Sequence, residues 1–113
     1  MQGPLRKRLD EVHADPGGNR HELWAWLHTE DAAASVLAAL TADLTGAHVV
    51  NVAAPDSMAF EPTRELLAAH HPAAGITGPV DGADGHGTLF DTTRSRELLH
   101  FTAGHTWRDT PFR

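Results

Sequence analysis

Residues 47–55, with the sequence AHVVNVAAP, constrain the fold of this 113-residue chain more than any other segment. They are rich in β-branched side chains and almost continuously apolar, which is typical of a strand buried on both faces within a parallel sheet. Only one other segment, residues 23–28, resembles a strand, with Trp24 and Trp26 on one face. Because two strands are too few for an independent parallel sheet, the sequence predicts an α/β fold with an incomplete sheet.

Helical signals fill most of the remaining chain. Apolar spacings of three and four residues, together with helix-starting residues, predict four helices, over residues 5–13, 30–42, about 61–71 and about 91–100. The second helix is expected to turn its apolar stripe toward the core, a stripe made of Ala33, Val36, Leu37, Leu40 and Leu44. Residues 73–88 are mostly Gly, Ala, Pro and Asp, which predicts a loop with at most one short edge strand. Strands that alternate with helices favour the α/β class.

The composition argues against several classes of function. Nine basic and fifteen acidic residues give a formal net charge of −6, which argues against nucleic-acid and anionic-membrane partners. The absence of cysteine excludes disulfides and thiolate chemistry, and the absence of tyrosine excludes a phenolic acid or base. The nine histidines show no zinc-helix spacing, so no metal site is predicted. With neither a membrane-spanning run nor a signal-peptide core, we expect a soluble cytoplasmic protein.

Three strings in the sequence are similar, in this order, to parts of one enzyme family. LWAWLHTEDAA (residues 23–33) resembles a strand that runs into a helix through an aromatic–apolar–His/Asp–x–x–Asp–x–Ala segment. HVVNVAAP (residues 48–55) resembles a later strand with a Val/Tyr–Asn–Ile/Val core, and FDTTRSRELLHF (residues 90–101) resembles a closing Asp-x-(Ser/Thr)-(Lys/Arg) segment. Over about residues 5–109, the chain therefore resembles the C-terminal part of the NAD-dependent epimerase/dehydratase family, the extended short-chain dehydrogenases.

The resemblance implies that residues 1–113 form a single incomplete domain. This domain would be the C-terminal substrate-binding lobe, with one or two strands of the Rossmann-type sheet and about four helices. In the family, a separate Rossmann domain binds NAD or NADP, and this chain has no counterpart of the catalytic Tyr-x-x-x-Lys, since it lacks tyrosine and Lys7 is its one lysine. The glycines between Gly75 and Gly87 follow no strand and begin no helix, unlike a glycine fingerprint that binds pyrophosphate. We therefore expect no cofactor, no catalytic residue and no activity in the isolated chain.

Four residues are candidates for binding a small-molecule substrate, namely Arg20, Trp24, His28 and Asn51. Trp24 occupies the position of the family's nucleotide-binding arginine, and Arg20 lies four residues before it. This difference favours a non-nucleotide substrate, such as a sugar acid or another small hydroxy or keto compound. Each candidate also has a structural interpretation, because a histidine, an asparagine or a tryptophan at such positions can equally be a hydrogen-bonded or packed core residue.

Two functions of different classes follow from these patterns. The first is the substrate-binding portion of an NAD(P)-dependent epimerase/dehydratase-like oxidoreductase, which would work with a Rossmann-domain half. The second is a non-catalytic module of the same origin that associates with itself as a dimer, or with another partner, through the aromatic strand of residues 23–28 and the unpaired edge of residues 48–53. An independent enzyme that uses histidine and carboxylates is a third possibility, but no such pair stands out from the other histidines and acids.

Overall fold

The computed structural model describes residues 3–76, 78 and 80–108, and these residues form six helical segments and no β-strand. The segments are α1 (Gly3–Ala14), a 3-10 helix (Pro16–Glu22), α2 (Thr29–Thr41), α3 (Thr63–His70), the single turn α4 (Gly82–Gly85) and α5 (Thr93–Leu99). The one pairing of sheet type in this part of the chain is an isolated antiparallel bridge between Asp56 and Gly87. The predicted α/β fold, with one or two strands of a Rossmann-type sheet, is therefore wrong.

Both predicted strands are extended segments that lack a ladder of hydrogen bonds. Two backbone hydrogen bonds join the regions, from the Ala54 N–H to the Trp26 carbonyl oxygen at 2.8 Å and from the Met58 N–H to the Trp24 carbonyl oxygen at 2.9 Å. No backbone–backbone hydrogen bond within the described residues involves residues 47–53. A strand requires a hydrogen-bonded neighbour along its length, and the described chain places none beside this segment.

The four predicted helices lie within two residues of α1, α2, α3 and α5 at both ends. The 3-10 helix and α4 were not predicted, because both begin in Gly- and Pro-rich sequence where turn signals dominate. α4 is a turn rather than a regular helix, since Ala83 and Asp84 have positive φ angles of 53° and 57°. In the described ranges, every helix is too short or too polar to pass through a lipid bilayer.

α2 faces the core with small and polar side chains and exposes its large ones. Asp31 is buried, and Ser35, one turn later, is half-buried on the same side. The opposite side exposes the whole predicted stripe, here called the outer apolar face, made of Ala33, Val36, Leu37, Leu40 and Leu44. The predicted orientation of this stripe is therefore wrong. Helical periodicity identifies an apolar face but does not say whether that face meets the helix's own domain.

The hydrophobic core lies beneath α1, α3 and the two extended regions. Its buried members are Leu9, Val12, Trp24, Trp26, Ala54, Met58, Ala59, Leu66 and Trp107. Each of the three tryptophans donates its indole N–H to a backbone carbonyl oxygen at 2.7–3.0 Å, in chain order to Pro16, Asp56 and Ser57. These bonds satisfy the one polar atom of each ring, so the rings are buried without an unpaired donor.

The chain reverses direction at Leu23 and Trp24, which both have a φ of 57° in the left-handed region. This conformation costs non-glycine residues roughly 1–2 kcal/mol each. Burial offsets the cost at Trp24, which is 1% exposed, and so do its two hydrogen bonds, to Pro16 through the indole and to Met58 through the carbonyl oxygen. The turn leaves Leu23 half-buried against the edge of the core.

Candidate functional site

An open groove of about 710 Å³ lies between α3, the segment that follows it and the start of α5. Its walls are mainly apolar, and the apolar lining includes Leu23, Leu67, Ile76, Val80, Leu89 and Phe90. The volume falls within the range of roughly 300–1,000 Å³ found for sites that bind small organic molecules. The groove is therefore large enough and sufficiently apolar to hold a small organic ligand.

A short polar stretch of the groove lies at the start of α5. Arg96 donates from Nη1 to the Thr92 hydroxyl at 2.9 Å and from Nη2 to the Thr93 hydroxyl at 3.3 Å. Asp91 accepts the Thr93 N–H at 2.9 Å. Hydrogen bonding from Thr93 and the positive charge of Arg96 lower the pKa of Asp91 below its usual value. The groove thus carries one cation and one anion at neutral pH beside its apolar walls.

Arg20 and Trp24, two of the four predicted site residues, lie behind the groove. Trp24 is in the core, and the Arg20 side chain donates to a backbone carbonyl oxygen of its own 3-10 helix at 2.7 Å. His71 lines the groove and contacts both residues. Its Nε2 lies 2.7 Å from the Arg20 carbonyl oxygen, and its ring centroid lies 6.0 Å from that of Trp24. The pair therefore supports the groove wall through His71.

His28 and Asn51, the other two predicted site residues, lie elsewhere. His28 is buried at the N-terminus of α2, where its Nδ1 accepts the Glu30 N–H at 3.0 Å and caps the helix. Asn51 is exposed, and its side-chain amide donates to the Asp91 carbonyl oxygen at 3.3 Å. No hydrogen bond or ring contact of the described chain joins two of the four residues directly. Asn51 is the one of the four that contacts the polar end of the groove, through the Asp91 carbonyl oxygen.

His28 also belongs to a cluster with Glu30 and His105, in which one potential metal-ligating atom of each residue lies within 4.8 Å of the others. The imidazole rings of His28 and His105 stack, with 4.1 Å between centroids and 13° between planes. Because His28 Nδ1 accepts a hydrogen bond, the proton of the neutral ring is on Nε2. Imidazole binds metals through a lone pair in the ring plane, which two stacked rings cannot both direct at one ion. In this orientation the cluster caps α2 and is not arranged to bind a metal.

Asp31 joins the start of α2 to the segment that follows α5. Its carboxylate accepts the Gly104 N–H at 3.2 Å and the His105 N–H at 2.9 Å, and His105 Nδ1 lies 3.0 Å from Oδ1 at an ion-pair distance. Burial acts to raise the pKa of Asp31, but the contacts from His105 and Gly104 together lower that pKa below its usual value. The Asp31 carboxylate in turn raises the pKa of His105, with a smaller contribution from Glu30. The two residues therefore form an ion pair below the raised pKa of His105.

The polar residues of the groove were not identified from the sequence. Asp91 and Arg96 fall in the predicted helix over about residues 91–100 and are not among the four candidate site residues, although the apolar pair Leu89 and Phe90 directly before them is a signal for a partly covered surface. Comparison with protein-family models, curated proteins and solved structures finds no match for this chain. The resemblance to the epimerase/dehydratase family stays a prediction.

Proposed function

We propose that this chain is the substrate-binding portion of an NAD(P)-dependent epimerase/dehydratase-like oxidoreductase and is inactive by itself. The observation that carries the proposal is the outer apolar face of α2, which leaves a row of large apolar side chains uncovered. The three family-like strings in the sequence support the choice of family. In such an enzyme a Rossmann-domain partner in the cytoplasm would hold NAD or NADP, and this chain would bind the substrate beside it.

The outer apolar face is unusual for a protein that works alone. Leu37 and Leu40 are 62% and 78% exposed, although leucines at helical spacing are ordinarily directed into a core. A hollow of about 320 Å³ adjoins the face between the ends of α2 and α5, and Leu44 lines it. Val49, in the extended segment that makes no backbone–backbone hydrogen bond within the described residues, is 80% exposed. Grouped exposed apolar side chains and an extended segment without a neighbouring strand are both features of protein interaction surfaces.

The titratable residues of the chain also support a requirement for a partner. Hydride transfer requires a bound nicotinamide cofactor placed beside an acid–base group. The chain has no tyrosine, and Lys7, its one lysine, lies exposed on α1. The groove can bind a substrate with Arg96 and Asp91, but these residues supply no hydride acceptor. Cofactor and acid–base chemistry would therefore come from the partner.

Calorimetric titration of the isolated chain with NAD⁺ and with NADP⁺ tests the assignment of cofactor binding to the partner. We expect no saturable heat of binding for either nucleotide. Micromolar binding of either one by the chain alone would contradict the proposal.

Co-sedimentation with separately expressed nucleotide-binding domains of epimerase/dehydratases from the same genome tests the docking face. Leu40→Glu places a charge in the outer apolar face, whereas Ala34→Glu places the same charge on an exposed position of α2 outside it. We expect a complex with the wild-type chain and with Ala34→Glu, and none with Leu40→Glu. Equal binding by all three chains, or binding by none, would contradict docking through this face.

The outer apolar face also favours a second candidate function, a non-catalytic module that associates with itself. Sedimentation of the chain alone distinguishes the two functions. A dimer that Leu40→Glu converts to a monomer, with Ala34→Glu still dimeric, would favour self-association. A wild-type monomer would argue against it and leave the nucleotide-binding partner as the occupant of the face.

A further inference from the structure

We propose that the groove binds a small 2-hydroxy acid with an apolar or aromatic side chain, the carboxylate on Arg96 and the hydroxyl on Asp91. The inference deepens the proposed function by naming a class of substrate, and it rests on that function only for the ligand's role as a substrate. Binding itself depends on the groove alone and can be measured on this chain. The walls, the cation and the anion of the groove each specify one part of the ligand.

The walls specify an apolar body of limited size. Leu23 and Leu67 lie on the side of the chain reversal and α3, and Leu89 and Phe90 lie on the side that leads into α5. Phe90 is 37% exposed, so its ring is available to a ligand. A phenyl or branched alkyl group on these side chains removes apolar surface from water on both partners. A strongly polar ligand such as an unmodified sugar would leave these walls without a matching partner.

Arg96 specifies a carboxylate. Its two terminal nitrogens donate only to neutral threonine hydroxyls, and no carboxylate oxygen of the described residues lies within 4.0 Å of the guanidinium. A guanidinium with neutral partners retains its charge and can bind a carboxylate through two parallel hydrogen bonds. The Thr92 and Thr93 hydroxyls hold the side chain at the groove while it does so.

Asp91 specifies the hydroxyl. Its carboxylate lines the groove near Arg96 and opposes a simple carboxylic acid by like-charge repulsion. Its carboxylate accepts the Thr93 N–H at 2.9 Å, and the Thr93 side chain adds a second hydrogen-bonding contact. A carboxylate has about four acceptor positions, so a ligand hydroxyl can be accepted as well. A 2-hydroxy acid offsets the repulsion with that hydrogen bond, whereas the acid without a hydroxyl cannot. The groove is therefore expected to discriminate between two ligands that differ by one oxygen atom.

Titration with three matched probes, followed by calorimetry or by amide chemical shifts, tests these roles. The probes are 3-phenyllactate, 3-phenylpropionate without the hydroxyl and 3-phenyllactamide without the charge. We expect 3-phenyllactate to bind most tightly, with each of the other two weaker by about tenfold. Failure of 3-phenyllactate to bind, or equal binding of all three, would overturn the proposal.

Two variants and a control assign the effects to residues. Arg96→Gln is expected to weaken 3-phenyllactate about tenfold and to remove its advantage over the amide. Arg94→Gln changes an exposed arginine on the same helix that donates to the Val49 carbonyl oxygen and does not line the groove, and it should bind as the wild type does. Equal effects of the two substitutions would overturn the role of Arg96.

Asp91→Asn keeps an acceptor for the Thr93 N–H but turns an amide N–H₂ group toward the ligand. It should strengthen 3-phenylpropionate and abolish the preference for 3-phenyllactate, and an unchanged preference would overturn the role of Asp91. All of these titrations use the isolated chain. A chain that binds the hydroxy acid but no nucleotide-binding partner would therefore uphold the groove and contradict the proposed function, and the reverse result would do the opposite.

Discussion

Replacement of Asp31 by alanine is expected to destabilise the protein by about 2 kcal/mol, because the carboxylate is the common acceptor for two backbone N–H groups. These belong to Gly104 and His105, more than seventy positions along the chain. A hydrogen bond to a charged group contributes roughly 1.5–3 kcal/mol when both partners are buried. Gly104 is exposed and His105 is half-exposed, so water can replace part of the hydrogen bonding that the substitution removes. The two hydrogen bonds together are therefore expected to contribute only about 2 kcal/mol.

Urea unfolding followed by tryptophan fluorescence measures this change, since Trp107 lies in the segment that Asp31 holds. Glu30→Ala is the matched control, because it removes an exposed carboxylate from the same first turn of α2 and so removes a similar helix-dipole effect. We expect Glu30→Ala to cost less than about 0.5 kcal/mol. If the two substitutions cost the same, the hydrogen bonds to the segment after α5 contribute nothing measurable and the reasoning is refuted.

Three further perturbations test the packing and the electrostatics. Asp31 raises the pKa of His105 above its ordinary value of 6.5. The stability that this pair contributes is therefore complete below pH 6.5 and is lost as the pH rises through the higher pKa of the folded state. Over that pH range, the Tm of the wild type should fall relative to that of His105→Gln. The same contribution is lost in acid as pH falls through the lowered pKa of Asp31, below 3.8. Gly87→Ala would place a Cβ 2.9 Å from a backbone carbonyl oxygen and should cost about 1–3 kcal/mol in denaturant unfolding, whereas Gly75→Ala meets nothing within 4 Å and should be neutral. Thr63→Val removes a buried hydroxyl that donates to the Gly87 carbonyl oxygen at 2.6 Å and should cost about 1–2 kcal/mol, and an unchanged urea midpoint would show that this bond is dispensable.

The helices could be predicted from the sequence because their signals are local. Glu30 and Asp31 give α2 an acidic first turn, and Pro72 lies two residues after His70, the last residue of α3. The 3-10 helix could not be predicted in this way, because its Pro-Gly-Gly start is a turn signal. Its packing against α1 is a tertiary contact that the sequence does not reveal. Helix signals were therefore sufficient wherever a segment's neighbours in sequence determine its conformation.

The strands could not be predicted because a strand is defined by its neighbour. Residues 47–53 have β-branched, apolar composition, but composition cannot show whether another segment lies alongside to accept hydrogen bonds. For the same reason, the sequence could not predict which face of α2 meets the core. One face consists of large apolar side chains, and the other consists of Asp31, Ser35 and alanines. In both cases the sequence shows a surface suited to burial but does not identify what covers it.

The groove lay beyond sequence-based prediction because its parts are distant in the chain. Leu23 follows the 3-10 helix, Leu67 lies in α3 and Arg96 lies in α5, and these parts of the chain meet only after folding. Of the four residues predicted to bind substrate, Arg20 and Trp24 contact His71 of the groove wall, and Asn51 contacts the Asp91 carbonyl oxygen. Chemistry-bearing residue types can be found one by one in a sequence, but their convergence on one surface depends on tertiary packing.

The left-handed turn at Leu23 and Trp24 gives the two sides of the groove unequal resistance to deformation. The Trp24 carbonyl oxygen bonds the Met58 N–H inside the core, so that amide should exchange its hydrogen with solvent only when the whole protein unfolds. Gly75, which also lines the groove, stands in open surroundings, with no atom within 4 Å of where a side chain would begin. Ligands of different bulk would therefore be accommodated by displacement of the segment around Gly75, while the wall formed by Leu23 and Leu67 keeps its shape.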